Sequence, residues 1–145
     1  MDKERLLRYK EKLEYLEKTL GNLKEWTHDI DEQYFVNRLD LQKKYGIYHA
    51  FQIAVEITSD LSAMLIKDNK IIPKDDYSNI DTLSEKAIIS SVVGAHLKEA
   101  NGLRNRIVHE YNGLNDLIVY QRVLELIKSF NKFKEVVNQW LKKNS

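Results

Sequence analysis

The chain has no cysteine, one proline and five glycines in 145 residues. The absence of thiols rules out disulfide staples, thiolate metal sites and cysteine nucleophiles, and it fits a reducing cytoplasm. With a single proline, Pro73, and so few glycines, little interrupts long helices. No apolar run approaches the ~20 residues needed to cross a bilayer, and charges throughout residues 1–20 argue against a signal peptide. No membrane partner is therefore expected. A large charge of one sign is also missing. The formal net charge of +1 gives no global positive field, so any contact with RNA has to be local.

What is present is 43% hydrophobic and 31% charged, enough for a real core inside one domain spanning 1–145. Leu6, Tyr9, Leu13, Leu16 and Leu20 recur at steps of three and four, which predicts a first helix with one apolar stripe, loosened near Gly21. After the polar run 27–31, a second periodic segment runs through Phe35, Leu39, Ile47, Phe51, Ala54, Leu61 and Leu65 to Ile66, with Gly46 as the point where it divides or bends. The stretch 68–79 around Asn69 and Pro73 reads as a loop. Thr82 with Glu85 resembles a capping box and is expected to open a third helical region, interrupted near Gly94 and loosened near Gly102. Asn112-Gly113 reads as a stop, and a last helix over 114–142 repeats Val123, Ile127, Phe130, Phe133, Val137 and Trp140 on one side. The expected fold is all-α, an antiparallel up-and-down helical bundle.

The densest chemistry lies in Arg104-Asn105-Arg106-Ile107-Val108-His109-Glu110-Tyr111. A permanent cation, an amide, an imidazole and a phenol stand within one short stretch, a set able to hold a phosphodiester and move its protons. On a straight helix Asn105 and His109 are about 40° apart, Arg104 and Tyr111 about 20°, but Arg104 and His109 about 140°. An Arg–His site therefore needs the reach of Arg104, a bend near Gly102, or a second subunit bringing another copy of the motif. The plainer reading leaves Arg104 and Arg106 solvated or paired with acids, and His109 and Tyr111 in packing contacts. Gln52, Glu56 and Asp60 follow one another by one helical turn and share a face. Metal binding there is conceivable, but the preferred expectation is no metal, with Glu56 or Asp60 positioning Arg104 or Arg106. His28, His49 and His96 are dispersed, without a ligand pattern.

Arg104, Asn105, His109 and Tyr111 match the Arg-Asn-x-x-x-His-x-Tyr signature of the HepT-like branch of the HEPN superfamily, which the chain resembles over most of its length. The segment Gln52-Ile53-Ala54-Val55-Glu56-Ile57 with Asp60 is similar to the family's Gln-x-Ala-x-Glu segment and its later acid. Two positions depart from the pattern. Leu103 stands where an aromatic often precedes the Arg-Asn pair, and Met64 where His is often found.

The resemblance implies a HEPN-like homodimer whose motifs face a shared cleft; the aromatic stripe of the last helix would offer apolar surface for it, unless that stripe completes the monomer core. It further implies a cytoplasmic toxin of a type VII HEPN/nucleotidyltransferase toxin–antitoxin module, a metal-independent endoribonuclease leaving a 2′,3′-cyclic phosphate. On that reading Arg104 and Arg106 bind RNA, and Arg104 also opposes transition-state charge. His109 moves protons, since an imidazole of ordinary pKa ~6.5 populates both forms near neutrality. Asn105 orients His109 or the phosphate, and the second proton-transfer partner is either the His109 of another subunit or a bound water. The implied partner is an MntA-like nucleotidyltransferase antitoxin, which uses ATP and Mg to place AMP on Tyr111 and so excludes RNA; cleavage itself needs no cofactor. The competing classes are a non-catalytic nucleotide- or substrate-binding companion of a nucleotidyltransferase and a purely structural helical dimer.

Overall fold

The computed structural model describes residues 1–110 and 112–145. Among the described residues there is no strand. Six helices follow in order: α1 Lys3–Thr27, α2 Glu32–Asn37, α3 Leu41–Asp68, α4 Asp76–Glu85, α5 Ser91–His109 and α6 Asp116–Asn144. Each begins at a short side chain with a free oxygen. Asp2, Asp31, Asp40, Asp75, Ser90 and Asn115 each accept a hydrogen bond from an N–H of the first turn, which satisfies donors that the helix itself leaves open.

These caps correct several expected boundaries. The second periodic segment divides at Arg38 and Asp40, where Asp40 starts α3, and the helix then runs unbroken through Gly46. Thr82 opens nothing. Its hydroxyl donates to the Ser78 carbonyl at 2.9 Å inside α4, and Glu85 is the last residue of that helix. The third region instead begins at Asp76 and restarts at Ser91 after a turn that puts Ala87 at φ 55°. The expected loop over 68–79 shrinks accordingly to 69–75, because Asp75 caps α4 and buried Asn79 bonds back to both the N–H and the carbonyl of Lys74. Gly94 and Gly102 both lie inside an uninterrupted α5. At Gly94 a Cβ would sit 2.2 Å from Ser84 Oγ, so the missing side chain lets α4 and α5 approach closely.

Cross-helix pairs fix the directions. Arg5 and Tyr9 near the start of α1 meet Asp68 at the end of α3, and Lys12 meets Asp60. Glu17 pairs with Lys134, while Tyr120 near the start of α6 donates to the Ile30 carbonyl just beyond α1. Ser59 and Glu56 of α3 face Asn101 and Arg104 of α5, and Glu99 holds Arg122 of α6 through two bonds of 2.6 and 2.7 Å. α1, α3, α5 and α6 therefore alternate up and down, with the short helices α2 and α4 in the connections.

One core lies between them. Tyr9, Phe35, Phe51, Tyr120, Phe130 and Phe133 are all fully buried. Tyr120 stacks on Phe35 at 4.1 Å and seats α2 against α6. The aromatic stripe of α6 is thus largely consumed inside the monomer, with Ile127 and Trp140 half-buried and Trp140 tilted against Tyr9. Its buried members complete the core of the monomer.

Candidate active site

Arg104 to His109 occupy the last turns of α5, whose last turn carries the basic residues Arg106 and His109 at the negative end of the helix dipole. Leu103, immediately before Arg104, is buried and anchors this end of α5 in the core. Met64 is buried too, so both departures from the family pattern are packing positions.

Arg104 faces α3. Its Nη2 donates to Glu56 Oε1 at 2.9 Å and its Nη1 to Asn105 Oδ1 at 3.1 Å, while its buried Nε has no partner among the described residues. Gln52 Nε2 donates to the same Glu56 oxygen at 3.2 Å. The Arg104 guanidinium, then the Gln52 amide, hold the Glu56 carboxyl below its ordinary 4.5 against the opposing cost of partial burial. Glu56 is therefore ionised at neutral pH, and Arg104 is clamped between an acid across the helix interface and an amide on its own helix.

The other expected groups separate. Asp60, one turn beyond Glu56, turns to α1 and pairs with Lys12 at 3.0 Å, so it positions neither Arg104 nor Arg106. Arg106 is exposed and lies 3.6 Å from Glu110, the C-cap of its helix. Asn105 and His109 are exposed. With α5 continuous to its end, His109 leaves the helix about 140° around from Arg104, on a side away from α3. Tyr111 lies outside the described residues. Among the described residues, no three His, Asp or Glu side chains converge as a metal site.

An open groove of about 450 Å³ adjoins the clamp. It runs along α3 past Tyr45, His49 and Gln52, and is closed on the other side by Ile107, Asn112 and Leu114. Gln52 belongs both to this groove and to the clamp. His49, dispersed from the other histidines in sequence, thus enters the neighbourhood of the motif. Its signal is the spacing 49, 52, 56, which places it on the same face of α3 as the two clamp residues. His96 by contrast is structural, bonded to Ser129 Oγ at 2.5 Å, and His28 Nδ1 lies 3.4 Å from its exposed neighbour Asp29.

The profile of the family described as Ribonuclease HepT-like matches residues 16–137. The chain belongs to the HepT-like ribonuclease family. A candidate RNase of Archaeoglobus fulgidus is 34% identical over 136 residues, covering 94% of this chain and 95% of that protein. A candidate RNase of Methanocaldococcus jannaschii is 44% identical over 73 residues, which is 50% of this chain and 82% of the relative. Among solved structures, the tri-AMPylated HEPN toxin of Shewanella oneidensis, in complex with its MNT antitoxin, superposes with a TM-score of 0.80 at 21% identity. That match covers 96% of this chain and 99% of the toxin, and at such identity it establishes the shared HEPN fold. The cytosolic protein YutE of Bacillus subtilis has the same fold at a TM-score of 0.67 and 16% identity. This HepT-like chain is thus an all-helical protein of a ribonuclease family, and among its described residues no helix is long and apolar enough to cross a membrane.

Proposed function

We propose that this HepT-like protein is the toxin of a HEPN/nucleotidyltransferase toxin–antitoxin module, cleaving RNA without a metal ion and held in check by AMP transfer to Tyr111. The observation that carries this reading is the clamped Arg104, fixed by Glu56 and Asn105 inside a complete family motif. A guanidinium held in place before substrate arrives can oppose charge on the non-bridging phosphate oxygens without reorganising. In the reaction the RNA 2′-oxygen attacks the adjacent phosphorus and loses its proton to a base. The bond to the 5′-oxygen breaks, that oxygen takes up a proton, and a 2′,3′-cyclic phosphate remains. His109 is the proton carrier.

Because Arg104 and His109 diverge around α5, one motif does not surround a phosphate alone. A homodimer that sets two motifs across a cleft brings the His109 of one copy toward the Arg104 of the other. The antitoxin reading draws support from the Shewanella toxin, which was solved AMPylated and with its MNT partner. AMP on Tyr111 adds bulk and negative charge two residues from His109, where RNA phosphate must enter. ATP and Mg serve that partner's chemistry.

The test is cleavage of single-stranded RNA in EDTA by purified protein, with the product ends identified. The expected result is a cyclic phosphate, lost by roughly 10²-fold or more in His109→Ala with unchanged circular dichroism. A His109→Ala protein as active as the parent refutes the assignment. Incubation with the cognate nucleotidyltransferase, ATP and Mg should add AMP and suppress cleavage, and label retained in Tyr111→Phe excludes Tyr111 as the acceptor.

A further inference from the structure

The groove between α3 and Ile107, Asn112 and Leu114 shares Gln52 with the Glu56–Arg104 clamp and so adjoins it. Its floor is apolar and well anchored. Ile107 and Leu114 are half-buried against the core, and the buried ring of Tyr48 is pinned through its hydroxyl to Asp116 at the start of α6. Its wall is aromatic and open, formed by Tyr45, 62% exposed, and by exposed His49 one turn further on. Two amides, Gln52 and Asn112, stand at its edge. The cation at its far end, Lys44, is occupied by the Val36 carbonyl and Asp116, so the groove itself offers no free cation for a phosphate.

We propose that this groove is a base-binding subsite, taking one unpaired nucleobase of RNA next to the phosphate held at Arg104. The inference rests on the ribonuclease reading given above. An apolar floor, exposed ring faces and amide hydrogen-bonding edges are what a planar heteroaromatic base requires, and single-stranded RNA is recognised by such stacking and edge contacts. Position supports it. From His49 to Glu56 is two helical turns, about 10 Å along α3, roughly the span from a nucleotide's phosphate to the far edge of its base. The groove's volume, about 450 Å³, falls in the range of sites that enclose small ligands. Anion at the clamp and base in the groove thus form one continuous path, joined at Gln52.

The test measures binding of a fluorescent single-stranded RNA hexamer to His109→Ala protein, alone and with Tyr45→Ala, Tyr45→Phe or His49→Ala added. Both target positions are exposed on a helix, so substitution leaves the core intact. Stacking of one base gives an expected affinity loss of roughly five- to 150-fold for Tyr45→Ala, little loss for Tyr45→Phe, and a measurable loss for His49→Ala. In a cleaving background, Tyr45→Ala should raise KM more than it lowers kcat and should blur the preference for the base beside the cut. If the parent cleaves RNA but both alanine variants bind within twofold of the background, the subsite is wrong and the ribonuclease reading stands. If the parent does not cleave but Tyr45→Ala still abolishes RNA binding, the subsite stands and the ribonuclease reading falls. Free AMP binding as tightly as the hexamer, with equal sensitivity to Tyr45→Ala, would overturn the RNA assignment in favour of a free nucleotide.

Discussion

Replacing Glu56 with Gln separates the clamp's contribution to catalysis from its contribution to stability. In the folded protein the Glu56 and Arg104 side chains are 49% and 28% exposed, so their ion pair is largely screened and contributes at most about 1 kcal/mol. Unfolding entropy of about 2.1 cal/mol/K per residue gives about 0.3 kcal/mol/K for this chain, and the expected fall in Tm is at most about 3 °C. Activity should respond far more strongly. Glu56→Gln leaves Asn105 as the side chain that fixes the guanidinium, and a charge displaced by about 1 Å from the reacting phosphate can cost on the order of 10²-fold. We expect kcat for RNA cleavage to fall at least about tenfold, with folding nearly unchanged. The pH dependence carries a sign. Glu56 is held below its ordinary 4.5 by Arg104, so the pair is intact above that value and fades as pH falls through the lower folded-state pKa. Loss of the clamp therefore belongs to the window below pH 4.5, and any activity change near neutrality belongs to another group. The assay is single-turnover cleavage of one RNA across acidic to neutral pH, beside a thermal melt. A Glu56→Gln enzyme that cleaves as fast as the parent, or faster, would refute the argument: the carboxylate would then be competing with phosphate for Arg104 instead of orienting it.

Arg104→Lys keeps the charge and loses the planar fork, so it should retain more activity than Arg104→Ala but remain well below the parent; equal rates for Lys and Ala would show that charge at this position does not matter. Asp116→Ala removes the partner of both the Tyr48 hydroxyl and the Lys44 ammonium, whose side chain is only 12% exposed. It should cost about 2–3 kcal/mol, a Tm fall of roughly 6–10 °C, and an unchanged melt would contradict the anchoring role given to Asp116. Gly21 and Gly46 lie inside helices, and a Cβ added at either would meet nothing within 4 Å, so Gly21→Ala and Gly46→Ala should each stabilise by about 0.5–1 kcal/mol in chemical denaturation. Gly94→Ala should gain less or lose, because Ser84 Oγ must first turn away.

Helix periodicity and the rarity of Pro and Gly were enough to read four long helical segments, their buried faces and the all-α bundle. The motif on α5 and the Gln52–Glu56 pair on α3 were equally legible, because spacing along one helix fixes which side chains share a face. Helix starts were harder. Asp31, Asp40, Asp75, Ser90 and Asn115 are ordinary polar residues until the backbone turns, and a plausible Thr82–Glu85 signature lost to Asp75 and Ser90. Gly46 and Gly94 pointed to breaks that do not occur, since burial of the surrounding apolar face outweighs one glycine's cost of about 1 kcal/mol.

What the sequence by itself determined is the set of helices, the stripe each buries and the residues available for chemistry. Only the tertiary structure decided which of those residues meet. Glu56 and Asp60 are one turn and about 40° apart on α3, and in sequence they are interchangeable partners for Arg104. α3 packs between α1 and α5, and that small rotation directs Glu56 to Arg104 and Asp60 to Lys12. The same is true of His49, which becomes part of a groove only because Ile107, Asn112 and Leu114 lie across from that face of α3. Periodicity sets angles within one helix, whereas the register and rotation between helices come from fitting whole apolar faces together, a condition spread over the entire core.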